Sequence, residues 1–192
     1  DGDSGSDPED LFNTPFIAFQ TNFIGGLFNR PGNYRIYGWK NMTEHTKWID
    51  SGSSENTGYG FGISFDQELT DIVGVFARFG WQNPEVYLAG ESFSLESSWS
   101  IGAQMGGEPW GRENDIFAIA FGQAIPSDDY KDAGANLKAD PESHLEAYYS
   151  IQLNDHLTLS PDIQIIWNPY GGDAALGDKA IFVGGARAQI DF

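Results

Sequence analysis

Cysteine is absent from the 192 residues, which removes disulfide staples, thiol catalysis and Cys-ligated zinc together. Cations are scarce as well. Ten Lys and Arg face 28 Asp and Glu, a formal charge of −18, so a phosphate-binding groove on a basic surface is excluded and nucleic acid is not an expected partner. No run approaches the roughly 18 apolar residues that a membrane-spanning helix needs, and the mean hydropathy is negative. A membrane β-barrel stays open, because its strands are apolar only at alternate positions. The three histidines, His45, His144 and His156, stand far apart with no ligand partner at metal spacing. There is no Gly-x-Ser-x-Gly and no phosphate-binding glycine loop before a helix. The sequence therefore predicts neither an enzyme nor a cofactor. No basic region followed by an apolar stretch opens the chain, so any export signal is expected to have been removed or to lie on sequence not included.

What is abundant is glycine and aromatics: 24 Gly, 14 Phe, eight Tyr and six Trp, a composition suited to pleated strands. The pattern has period two. Tyr59, Phe61, Ile63 and Phe65 share one face against glycine, Ser64 and Asp66 on the other. Trp99, Ile101, Ala103 and Met105 repeat it, as do Leu145, Ala147, Tyr149, Ile151 and Leu153, and then Leu157, Leu159, Ile163, Ile165 and Trp167. Nine strands are predicted, at 15–24, 33–41, 58–66, 71–82, 97–106, 115–123, 144–153, 156–167 and 180–192. No stretch reads as a helix, so the fold class is all-β. The many Gly-x-Gly steps read as wall positions beside bulky cross-strand neighbours.

The connections alternate in length. Segments 25–32, 67–70, 107–114 and Asn154-Asp155 are short, while 42–57, 83–96, 124–143 and 168–179 are long. Those long links and residues 1–10 hold 18 of the 28 acids and only four lysines, Lys47, Lys131, Lys138 and Lys179. Short turns at one end and long acidic loops at the other are the pattern of an antiparallel outer-membrane barrel. A soluble sandwich mixes its loop lengths. Each apolar face is about five alternate residues long, so roughly ten residues per strand, which spans hydrocarbon at a tilt of about 45°. Trp39, Trp81, Trp99 and Trp167 fall near the long-loop ends, and Phe65, Trp110 and Phe192 near the short turns, as interfacial rings do.

With the short turns periplasmic, strands one and nine both run downward, and the two termini lie on opposite sides. A bacterial barrel has an even strand count, and open edges in lipid leave backbone groups unpaired. The sequence therefore predicts the C-terminal portion of a larger barrel, cut inside an outer loop. Residues 1–10 are read as an acidic extracellular loop segment and 11–192 as the barrel half. The alternate acids Asp1, Asp3 and Asp7 suggest a calcium loop, but Phe12 stands where the bidentate Glu is needed. The segment reads instead as a disordered acidic loop.

The segments Leu11 to Phe16, Pro31 to Trp39, Tyr59 to Gln67, Val75 to Trp81, Leu145 to Tyr149, Gln152 to Leu157, Ser160 to Gln164 and Gly184 to Phe192 together resemble the carbohydrate-selective porin (OprB-type) family. The likeness runs from about Leu11 to the end. It implies a sixteen-stranded porin, of which about seven strands would come from a companion chain or segment. It implies bacterial outer-membrane lipid as surroundings and, at the C-terminal Phe192, an assembly signal.

In a channel the chemistry lies on the polar face. Sugars are held by Arg, Asp, Glu and Gln hydrogen-bonding to vicinal hydroxyls, with aromatic rings stacking on the C–H side. The predicted lining is Arg35, Tyr37, Trp39, Arg78, Gln104, Glu146, Asp162, Gln164 and Arg187, with Gln82, Tyr148, Gln152 and Gln189 beside them. Arg35, Arg78, Glu146, Asp162 and Arg187 form the candidate constriction. The bland counterpart is a set of solvated charges paired across strands. The function expected is passive diffusion of small sugars or similar polar solutes through a water-filled channel. Two other readings stay open here: a porin passing mainly small ions, and a soluble or surface β-protein that binds carbohydrate without transport.

Overall fold

The computed structural model describes residues 16–26, 29–55, 57–88, 93–134, 139–172 and 177–191. The strands are β1 (Phe16–Gly25), β2 (Gly32–Asn41), β3 (His45–Lys47), β4 (Ser54–Glu55), β5 (Gly58–Glu68), β6 (Val73–Gln82), β7 (Val86–Tyr87), β8 (Leu95–Gly107), β9 (Arg112–Pro126), β10 (Glu142–Asn154), β11 (Leu157–Trp167) and β12 (Ile181–Ile190). Nine of them form one antiparallel sheet in the order β1-β2-β5-β6-β8-β9-β10-β11-β12. Each long strand pairs with the next long strand in sequence, so the sheet is a plain meander. Its nine strands match the nine expected from period two to within about three residues at each described end. The calls on Asp1 to Phe12 and on Phe192 lie outside the described residues.

The register fixes the two faces. On one face Phe65, Ala77, Ile101, Phe121, Leu145, Ile165 and Phe182 form an unbroken cross-strand row. Ile36, Ile63, Phe79 and Trp99 form the row beside it. On the other face Arg35, Ser64, Arg78, Ser100, Gly122 and His144 make one row, and Asn33, Asp66, Phe76, Gly102, Ala120, Glu146 and Gln164 the next. No second layer covers the apolar face among the described residues: Ile101 is 52 % exposed, Ile163 61 % and Phe182 75 %. A sandwich would bury those side chains against a facing sheet.

Proline and glycine mark the irregularities. Pro161 of β11 has no N–H to donate, and the β10 ladder skips it, passing from Tyr148↔Asp162 to Ile151↔Leu159. Ser160 bridges the gap by a side-chain bond to Ser150 at 3.3 Å. Bulges shift the register at Leu95/Ser97, Gly106/Gly107 and Gln152/Asn154, all near strand ends.

The long loops depart from expectation. Segments read as long acidic loops carry a small sheet, β4-β3-β7, and one short α-helix, α1 (Asp128–Asp132). The prediction that no stretch is helical is thus corrected. Ser127 caps α1, accepting from the Tyr130 N–H at 3.2 Å, while its own hydroxyl donates to the Pro84 carbonyl at 2.6 Å. Tyr130, 2 % exposed, meets Trp48 and Phe93 edge-on, and Trp48 stacks on Tyr87 with ring centroids 4.0 Å apart. Among the described residues the shortest aromatic stacking, Trp48 on Tyr87, lies in these loops, while the sheet's rings are half-buried or exposed.

The facing assignment has a direct test. With the apolar face turned to hydrocarbon, Ile163→Arg should cost about 2–4 kcal/mol near mid-membrane, whereas Gln164→Arg, one residue on, should be tolerated. Folding titrations into lipid vesicles read the difference, and equal losses at both sites would refute the assignment.

Candidate functional site

The polar face of β2, β5 and β6 concentrates charge. Arg35 lies on β2 and Asp66 on β5, in adjacent cross-strand rows, and their side chains meet at 2.7 Å. Arg78 on β6 reaches the other oxygen of the same carboxylate at 3.9 Å. One acid thus serves two guanidinium groups. Arg35 also bonds to Ser64 at 3.5 Å, and the Arg78 guanidinium lies 4.6 Å from the centre of the Phe76 ring. The side chains are a third to a half open to solvent, so each ion pair adds at most about 1 kcal/mol to stability. Their effect is positional: Arg78, 57 % exposed, is held over a ring face with most of its donors free for a polar solute.

Asp66 and Phe76 belong to this site and were missed as lining residues. The signal was present. Asp66 ends the polar face of the Tyr59–Asp66 alternation. Phe76 sits in phase with Gly74, Arg78 and Gly80, out of phase with Val75, Ala77, Phe79 and Trp81; parity, not residue type, assigns it.

Two concavities open on this face. One, of about 440 Å³, lies toward the short-turn end and is lined by Asp66, Phe76, Gln104, Glu146 and Tyr148 among others. The other, of about 150 Å³, lies toward the long loops and is lined by Tyr37, Trp39, Gln82 and Ser98. Trp39 stacks on Phe16 at a centroid distance of 6.4 Å and shares the polar face with Tyr37, on the opposite side of the sheet from Trp81 and Trp99. Glu146 is in register with Gln164, and Tyr148 with Asp162; the Gln164 amide donates to Asp162 at 3.1 Å. Arg187 stands on β12 opposite Ser160, exposed at the sheet edge. The structure therefore brings Arg35 and Arg78 together, sets Glu146 three strands and Asp162 and Gln164 four strands further on from Arg78 as a second group, and joins Arg187 to neither by an ion pair.

A polar network also sits at the short-turn end of the apolar face. Asp115, 2 % exposed in its side chain, accepts two bonds from Arg112 at 2.8 and 3.0 Å, one from the Tyr149 hydroxyl at 2.8 Å and one from the Gln152 N–H at 3.0 Å. Trp110 donates to the Tyr149 hydroxyl at 2.7 Å. Tyr149 is on that face, as its alternation predicts, with its hydroxyl committed to this network. No group of three or more His, Asp or Glu among the described residues is placed to hold a metal.

In the loops, burial and then the neighbouring Glu85, Asp132 and Asp128 push the Asp129 carboxyl above the usual carboxylate range. A raised folded-state value means that the folded loops bind this proton more tightly than the unfolded chain. Acidification through that raised value therefore stabilises the loop cluster, and the gain is lost as pH rises again. Asp129→Asn should increase hydrogen-exchange protection of the Trp48 and Tyr130 amides at neutral pH and flatten its pH dependence. Reduced protection in the variant would contradict the sign.

The family model described as carbohydrate-selective porin, OprB family, matches residues 11–192. No curated protein matches the sequence. Among solved structures, "High pH structure of Pseudomonas putida OprB" superposes with a TM-score of 0.77 at 17 % identity, covering 93 % of this chain and 49 % of that one. The chain thus spans about half the length of that protein, and the likeness at this identity is one of fold.

Proposed function

The chain belongs to the OprB family of carbohydrate-selective porins, and on that premise we propose that it forms about half the wall of a water-filled channel through the bacterial outer membrane, passing small sugars or similar polar solutes by diffusion. The observation that carries the reading is the two-faced sheet. One face is apolar and uncovered, the other carries the Arg35–Asp66–Arg78 cluster and the two concavities. A soluble carbohydrate binder would leave that apolar face in water, a patch far beyond what monomeric proteins expose. The reading assigns no catalytic step.

The unpaired outer edges of β1 and β12 are filled, on this proposal, by about seven strands from a companion chain or segment, which gives an even, closed count. The acidic residues 1–10 and the long loops then face outward, and residues 11–192 make the C-terminal half of the barrel. Arg35, Tyr37, Trp39, Arg78, Gln104, Glu146, Asp162, Gln164 and Arg187 face the lumen, joined by Asp66 and Phe76. Arg and carboxylate side chains offer paired donors and acceptors to vicinal hydroxyls, and the flat rings of Tyr37, Trp39 and Phe76 offer apolar faces to sugar C–H groups.

The charged cluster also favours a second reading, a pore that passes mainly ions. Two measurements separate the readings: sugar-driven swelling of proteoliposomes, and the reversal potential in a salt gradient. Fast swelling with weak ion selectivity supports sugars, whereas swelling no faster than protein-free vesicles rejects them. Asp66→Asn leaves two arginines without their shared acid, so the reversal potential should move toward anion preference, while Arg78→Gln should move it the other way. Unchanged potentials in both variants would remove this cluster from the conducting path.

A further inference from the structure

We propose that glycines on the polar face, Gly62 foremost with Gly102 and Gly185, set the bore of the channel by letting side chains of neighbouring strands lie flat on the wall. The proposal rests on the channel reading above and deepens it. Tyr37 is the register partner of Gly62, and a Cβ placed on Gly62 would run into the Cζ and hydroxyl of the Tyr37 ring. The ring occupies the space that a side chain at position 62 would take. Its hydroxyl extends toward Gly80, where an added Cβ would lie 3.8 Å away. Phe76 covers Gly102 and the Asp162 carboxylate covers Gly185 in the same manner. On the apolar face, by contrast, a Cβ on Gly184 would meet nothing within 4 Å.

Side chains on a strand ordinarily stand roughly perpendicular to the sheet. A tyrosine standing so at position 37 would project into the lumen, and glycine opposite it removes the obstacle to lying down. The effect reaches the charges too. Phe76, flattened over Gly102, is the ring that carries the Arg78 guanidinium at 4.6 Å. The glycines therefore fix both how wide the passage is and where its cations stand, although they contribute no functional group.

Gly62 is the clean place to test this. The three nearest atoms to its built Cβ all belong to Tyr37, and Gly62 is not among the glycines with positive φ. Alanine there must lift a side chain and need not move backbone. At Gly102 an added Cβ would also press the Ile119 carbonyl oxygen at 2.9 Å, which confuses the outcome.

The experiment uses the membrane-inserted protein in its native assembly. It compares wild type, Gly62→Ala, Tyr37→Ala, Gly62→Ala/Tyr37→Ala and Gly184→Ala, with heat-modifiable gel migration as the check of folding. Single-channel conductance and proteoliposome swelling in a monosaccharide and a disaccharide are the readouts. Gly62→Ala should lower conductance about two-fold and slow the disaccharide more than the monosaccharide. Adding Tyr37→Ala should restore the conductance of Tyr37→Ala alone, and Gly184→Ala should match wild type. Should Gly62→Ala fail to fold, Gly185→Ala with rescue by Asp162→Ala repeats the test on another strand pair. A folded Gly62→Ala with wild-type conductance, or a double variant as narrow as Gly62→Ala, overturns the proposal and leaves the channel standing. A silent wild type overturns the channel reading itself.

Discussion

On the channel reading proposed above, the design of the sheet follows from the need to pair backbone N–H and C=O groups without water. Hydrocarbon offers no partner, and each unsatisfied group costs several kcal/mol. A meander meets the demand strand by strand: each inner strand of the nine is bonded on both sides to its neighbours in sequence. The one interior residue that cannot donate, Pro161, sits where the β10 ladder is already interrupted. What the sheet cannot do alone is satisfy its two edges, β1 and β12. On the reading proposed above, closure by further strands is thus a consequence of the same hydrogen-bond accounting that shapes the nine strands present.

The same constraint explains what was legible in the sequence. Once the ladder is regular, side chains alternate strictly, so period two in Tyr59–Asp66 or Leu145–Leu153 yields the strands and their faces, with Arg35, Arg78, Gln104 and Glu146 on the polar one, by counting. Where the chain leaves the ladder, counting fails. The helix α1 is one turn long, and Ser127-Asp128-Asp129, a fair N-cap followed by acids, is too short a signal to distinguish from a polar turn. The cluster of Trp48, Tyr87, Phe93 and Tyr130 joins residues from three loops, and no local period connects them. Phe76 was not assigned to a face although its parity with Arg78 places it on the polar one, and Tyr149 lies on the apolar face as its alternation predicts, with a hydroxyl bonded to Asp115 that no period announces.

The loops invert the sheet's arrangement because their surroundings differ. Outside hydrocarbon an exposed Trp or Tyr gains by burial against others, at roughly 25 cal/mol for each Å² removed from water. Accordingly Tyr130 and Val86 are buried in the loops while Ile163 and Phe182 are exposed on the sheet. Burial first, and then the acidic neighbours Glu85, Asp132 and Asp128, raise the Asp129 pKa in that cluster. The crowding is a cost carried by the loops.

The two faces also differ in how freely they can change. On the channel reading, a charged residue on the apolar face meets a penalty set by the bilayer. On the polar face the ion pairs are half-exposed and each is worth little to stability, so Arg35, Asp66 and Arg78 are held in place without being needed to hold the fold. Selectivity can then be altered by exchanging a guanidinium or a carboxylate, with the meander untouched. The glycines beneath Tyr37, Phe76 and Asp162 limit that freedom. They act through volume rather than charge, and a single methyl group at Gly62 cannot be accommodated without raising a ring from the wall. On the channel reading, bore is therefore more tightly specified by this sheet than charge, because an added methyl group meets a ring whereas an exchanged charge meets solvent.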